Sequence, residues 1–214
     1  MPRREHNNIQ ANEWTLIIDC PFNGSNTNYA QSGITLSGGT TFATDPTDST
    51  IQVASIKSDA QSRLISLTQF PREYQTRYRM ELDWYCVGIK SYNNIVDASN
   101  SGGASSGIFT QYNSSKWYFG NKVDSGDNGL IIVNASLCPI NNWYHLILQR
   151  VGSIAYVCLK NSNDTIIAQT EYENAGPFIA SNNNANTLKI GRGSYSNRYI
   201  NGYIKDLKVW LHEL

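Results

Sequence analysis

Apolar and polar residues alternate one by one along much of this chain. The clearest case is 78–88, where Tyr78, Met80, Leu82, Trp84 and Cys86 fall on one side and Arg79, Glu81, Asp83 and Tyr85 on the other. A period of two is that of a half-buried strand. Residues 143–161 read as two strands joined at Val151-Gly152-Ser153, and 105–121 as a hairpin turning at Asn113-Ser114-Ser115. Further strands are expected within 62–70, 129–137 and 165–173. Turn clusters lie between them, the longest being 93–107, read as a mobile loop, and another 181–187. Near the end, Leu207, Val209 and Leu211 share one face and Asp206, Lys208 and Trp210 the other, while the apolar Ile204 counts with the polar set. A β-bulge near Lys205-Asp206 would bring Ile204 to the Leu207 face; otherwise it joins Trp210 in a second apolar patch. Many short strands without helical periodicity, no repeat and no compositional boundary predict an all-β fold, an antiparallel two-sheet β-sandwich or jelly roll, over 13–214, with 1–12 as an N-terminal arm.

Composition sharpens this. The chain has 214 residues, 17 basic and 17 acidic, so its formal net charge is zero. That gives no electrostatic case for nucleic acid or an anionic membrane. No apolar run is long enough to span a bilayer. Only 16% of residues are charged, against the usual quarter, and polarity comes from Asn, Ser and Thr, which suit turns and strand faces. Cys20, Cys86, Cys138 and Cys158 form no CxxC pair; buried free thiols are the expectation, with one or two disulfides as the alternative.

The ending "LKIGRG…YINGYIKDLKVW" resembles the last strands of the laminin-G-like, concanavalin A-like superfamily, through Gly202, Tyr203, Ile204, Asp206, Leu207, Val209 and Trp210, with Lys205 in place of the usual acid. Trp143, His145, Arg150 and Gly152 are similar to its central strand pair. Pro21, Phe22, Asn23, Gly24, Ser32 and Gly33 are similar to its opening segment. The resemblance implies a concanavalin A-like jelly roll with the first and last strands side by side.

Fold does not give function. Laminarinase-type glycosidases of this superfamily carry three carboxylates on one strand. Here Glu81 and Asp83 share a polar face, but Tyr85 and Cys86 occupy both places open to the third. Retaining hydrolysis needs a positioned acid beside the nucleophile, so catalysis is disfavoured, and the two carboxylates are expected to pair with Arg77 and Arg79. His6, His145 and His212 have no metal spacing. The segment 124–129 offers oxygens that could hold calcium, without an EF-hand spacing; no cofactor is expected.

Glycan binding fits the remaining chemistry. Sugars stack on aromatic rings and bond to amides and guanidinium groups. The candidates are Tyr112, Trp117 and Asn121, and the loop residues Arg192, Tyr195, Asn197 and Arg198. The start "MPRREHNN" lacks the apolar core of a secretory signal. The expectation is a non-catalytic lectin-like module on the exterior of a phage or virus particle, contacting glycans or a neighbouring structural protein, with self-association open. A secreted adhesion module is the alternative. Sequons at Asn23, Asn113, Asn134 and Asn163 are expected by chance in so Asn- and Ser-rich a chain.

Overall fold

Period-two burial builds two antiparallel sheets that face each other across one core. A computed structural model describes residues 14–30, 32, 34–38, 40–56, 65–67, 76–89, 93–97, 107–122, 130–173, 188–191 and 200–213; the expected arm at 1–12 lies outside these. The first sheet has eight strands in the order β13 (Ile166–Tyr172), β12 (Ile154–Asn161), β11 (Trp143–Val151), β6 (Arg77–Gly88), β15 (Asn201–His212), β4 (Gln52–Ile56) and β3 (Thr41–Thr44), with β1 (Trp14–Cys20) also paired to β15. The second has seven: β10 (Leu130–Asn134), β9 (Lys116–Lys122), β8 (Gly107–Asn113), β7 (Val96–Asp97), β14 (Leu188–Ile190), β5 (Ile65–Leu67) and β2 (Leu36–Ser37). The first and last strands are neighbours: β1 runs along Leu207–His212 while β4 takes the other half of the same edge, at 202–204.

Strand β6 follows its alternation. Tyr78, Met80, Leu82 and Trp84 are fully buried and Cys86 almost so. Tyr144, Leu146 and Leu148 of β11 and Ile204, Leu207 and Val209 of β15 join them, and Val96, Ile108, Trp117, Phe119, Leu188 and Ile190 close the core from the other sheet. The Trp84 ring lies 4.9 Å from Trp117 and 4.9 Å from Tyr144, and Trp117 stacks on Phe119 at 5.8 Å. All four cysteines are buried free thiols. Burial pushes Cys20 and Cys86 up to about 11 and Cys138 up to about 12, so these three are inert as nucleophiles at neutral pH.

The hairpins form where expected. Ser114 and Ser115 both have positive φ (49° and 65°), the signature of a type I′ turn, and Gly152 (φ 58°) turns β11 into β12. The bulge in β15 is also present: the register to β6 slips between Lys205 and Lys208, with Asp206 at φ 53°, a conformation aspartate tolerates. Two core residues, Ile204 and Leu207, therefore stand three apart on the same face. One expectation fails. Residues 93–97 are not a mobile loop but buried structure. Ile95 and Val96 are apolar and fully buried, and the Thr110 hydroxyl accepts both of their backbone N–H groups (2.8 and 2.7 Å). The rest of that segment, 98–106, and 181–187 lie outside the described residues.

A second register slip, between Asn201 and Gly202, brings the β15 backbone onto β6 so closely that a Cβ at Gly202 would sit 1.8 Å from the Tyr85 carbonyl oxygen. That obstacle is backbone and cannot rotate away. Gly202→Ala is expected to cost at least about 2 kcal/mol in urea unfolding. Gly152→Ala, strained by its φ but with open space around it, is expected to cost about 1 kcal/mol.

Candidate functional site

The other side of β6, β11 and β15, facing away from the second sheet, carries the chemistry. Register sets its rows. Tyr85 stands between Trp143 and Tyr203, Asp83 between His145 and Lys205, Glu81 between Ile147 and Lys208, and Arg79 between Gln149 and Trp210. The face grades from aromatic at one end to ionic in the middle to a mixed Arg, Gln and Trp row.

At the aromatic end, the Tyr85 ring lies 5.4 Å from Trp143 and 5.8 Å from Tyr203. Tyr85 and Trp143 pack with Val53 in a small cluster separate from the core, and Tyr203 is half-buried against it. Asp45, just past β3 and with a fully buried side chain, fastens this cluster. It accepts hydrogen bonds from Trp143 Nε1 (3.1 Å), Lys205 Nζ (2.7 Å), and the Thr47 backbone N–H (2.7 Å) and hydroxyl (2.8 Å). The Lys205 ammonium also lies 4.2 Å over the Trp143 ring, a cation–π contact. Burial alone would raise the Asp45 pKa, but the Lys205, Thr47 and Trp143 bonds outweigh it and hold the carboxyl down at about 2.

In the middle, His145 sits between two carboxylates. Its Nδ1 is 2.7 Å from Asp83 Oδ1 and its Nε2 is 3.6 Å from Glu81 Oε2. Glu81 also accepts from Arg79 Nε at 2.6 Å, and Arg79 Nη1 donates to Gln149 Oε1 at 2.9 Å. Arg79 thus pairs as expected. Arg77 Nη1 donates to the His212 carbonyl at 3.0 Å. The hydrogen bond to Asp83, then that to Glu81, lifts the His145 pKa to about 9 against the opposing effect of burial. Glu81 is pushed up by burial, but His145 and Arg79 more than reverse this and lower it.

The residues expected from sequence fall elsewhere. Trp117 is fully buried in the core, so it offers no face to a sugar; it alternates in step with Phe119, and that parity makes it a core residue of β9. Tyr112 is half-buried against Trp117, ring centres 5.2 Å apart, and its backbone N–H donates to the Asn93 carbonyl at 2.8 Å. Asn121 lies on β9 opposite Ile108. Arg192, Tyr195, Asn197 and Arg198 lie outside the described residues; on either side of them, Ile200 N–H donates to the Gly191 carbonyl at 3.0 Å, and Tyr203 follows three residues after Ile200. The segment 124–129 is also outside the described residues, and no metal-binding cluster of His, Cys, Asp or Glu occurs among those described. Sequence reasoning missed Asp45, Lys205 and the Tyr85–Trp143–Tyr203 row as a group. The alternation of 78–88 does place Tyr85 with the polar set, which was the available signal.

No protein-family model matches the chain, and no curated protein does. Solved structures share its β-sandwich fold. Domain 4 of AbnA, an extracellular GH43 arabinanase from Geobacillus stearothermophilus, solved with arabinotriose, superposes with a TM-score of 0.57 at 14% identity, over 94% of this chain and 95% of that one. The enzymatically active domain of tailspike protein 2 of bacteriophage CBA120 gives 0.59 at 13% identity, over 88% of this chain and 31% of that one. The binding domain of botulinum neurotoxin DC, in complex with SialylT, gives 0.57 at 14% identity, over 94% and 48%. At these identities the likeness is one of fold. Among the described residues no helix is long and apolar enough to cross a membrane.

The His145 pKa makes a testable statement. Its folded value, about 9, exceeds the ordinary 6.5. The clamp therefore contributes its full stability below about pH 6.5 and loses it as pH rises through about 9. NMR of the imidazole is expected to show a midpoint near pH 9 that returns toward 6.5 in Asp83→Asn.

Proposed function

We propose that this chain is a non-catalytic glycan-binding module whose saccharide lies on the outer face of β6, β11 and β15. One observation carries the reading: the half-exposed Tyr203 ring, backed by the buried Tyr85 and Trp143, stands beside a ladder of amide, carboxylate, imidazole and guanidinium groups. Sugars need that combination, an apolar ring for their C–H faces and planar polar groups for their hydroxyls. The arabinotriose complex of one fold neighbour supports it, since this chain's fold spans nearly the whole of that domain. Arg192, Tyr195, Asn197 and Arg198, which precede Tyr203 in the chain, remain proposed ligand residues; Tyr112, on the second sheet and packed against Trp117, lies away from this face. The tailspike likeness favours display on the exterior of a phage or virus particle, where the module would contact glycans or neighbouring structural proteins.

Hydrolysis fits less well. A glycosidase needs one carboxyl kept protonated near neutrality. Glu81 is instead driven toward its ionised form by Arg79 and His145, and the position of a third carboxylate holds Tyr85, whose pKa burial raises further.

Glycan-array screening followed by calorimetry tests this. Tyr203→Ala is expected to weaken the best ligand about tenfold, the equivalent of ~1.4 kcal/mol of stacking, and Tyr195→Ala to weaken it by a similar factor. No saturable binding across diverse glycans would sink the reading. Release of reducing sugar abolished by Glu81→Gln would replace it with catalysis.

A further inference from the structure

We infer that the outer face of the large sheet selects uncharged saccharides and discriminates against acidic ones. This deepens the glycan reading above and rests on it. The observation behind it is that the ions in the middle of this face, Lys208 apart, are paired with each other. Arg79 bonds Glu81, and His145 bonds Asp83 and reaches Glu81. Lys205 bonds Asp45, and Lys160, at the margin on β12, bonds Asp164 at 2.8 Å. Lys208, the remaining cation in these rows, stands in register with Glu81 but is exposed and makes no ion pair among the described residues.

Apart from Lys160–Asp164, whose carboxylate is exposed, the pairs are not loose surface contacts. The side chains of Glu81, Asp83 and Lys205 are only 21%, 24% and 17% exposed, and that of Asp45 is fully buried. A sialic or uronic acid seated on the paired rows would have to take Arg79 or Lys205 from its carboxylate. That would leave Glu81 with His145 alone, or the fully buried Asp45 without a counter-charge, and both are unfavourable. A neutral sugar makes no such demand. Its hydroxyls donate to oxygens the internal pairs leave with lone pairs to spare, on Asp83 and Glu81, and accept from the Gln149 amide, whose oxygen is already used by Arg79. Its C–H face rests on Tyr203. The salt bridges thereby act as a neutral, prearranged hydrogen-bonding surface rather than as a charged trap.

The test uses the full chain and matched pairs of oligosaccharides, each a neutral glycan and its sialylated or uronic counterpart, titrated calorimetrically at low and high salt. The neutral member is expected to bind, with a Kd that changes less than about twofold between roughly 0.05 and 0.5 M NaCl, because no net charge is neutralised. The acidic member is expected to bind at least about tenfold more weakly. Glu81→Gln, which keeps the shape but frees Arg79, is expected to shift the ratio toward the acidic member by about tenfold. Tighter binding of the acidic glycan by the unaltered chain, weakening as salt rises, would overturn this inference while leaving the glycan reading intact. Binding of neither member would remove both. An unchanged ratio in Glu81→Gln, with the fold confirmed by its circular-dichroism spectrum, would also overturn it.

Discussion

The two sheets are held as one body by the meeting of Trp84 and Trp117. Each indole is fully buried, their rings are 4.9 Å apart, and they come from opposite layers. A tryptophan removes about 150–250 Å² from water, so at ~25 cal/mol per Å² each is worth roughly 4–6 kcal/mol of burial. Tyr144 and Phe119 complete the contact from either side. Neither indole N–H finds an acceptor among the described residues, so the contact is apolar in effect and sacrifices one polar group on each ring. Once Trp84 is committed to the core, alternation commits its neighbours. Asp83 and Tyr85 must then project from the opposite face of the same strand.

That opposite face is organised by β15, which makes the transition from core to surface chemistry twice. At Gly202 the backbone approaches Tyr85 too closely for any side chain, and this sets Tyr203 beside the Tyr85 ring. Three residues on, the bulge at Asp206 absorbs one position. Without it Leu207 would face outward and Lys208 inward, and the ionic rows would lose their register. With it, Ile204, Leu207 and Val209 stay buried while Lys205 and Lys208 stand opposite Asp83 and Glu81. The same two irregularities therefore close the core and build the candidate site.

How much of this the sequence revealed depends on the range of the interaction. Features set by neighbouring residues were legible: the alternation of β6, the turns at Ser114-Ser115 and Gly152, and, as one of two alternatives, the bulge beside the misplaced Ile204. Trp117 is not a sugar platform because it shares parity with Phe119 on the core side of β9, two residues from a turn whose polar neighbours mask that parity. Residues 93–97 were misjudged because polar Asn and Asp flank Ile95 and Val96, and only Thr110, fifteen residues away from Ile95, makes their burial affordable. Asp45 was out of reach altogether. Its partners Trp143 and Lys205 lie 98 and 160 residues along the chain, and nothing local to a short Asp-Pro-Thr segment signals that it will anchor them.

Asp45 also explains why a sheet face can be both aromatic and stable in water. Tyr85 and Trp143 would ordinarily be a liability on an outer face, free to rotate and apt to recruit other apolar surface. Here Trp143 is fixed by its hydrogen bond to a buried carboxylate and by the ammonium above its ring, and Tyr85 is fixed between Trp143 and Tyr203. A side chain already immobilised loses little further entropy when a ligand settles beside it. The ion pairs next to it are likewise arranged in advance, through His145 and Arg79. The physical character of the face is thus prearrangement, with most of its ions paired to each other. On the reading proposed above, that character serves recognition of a weakly polar, hydroxyl-rich surface.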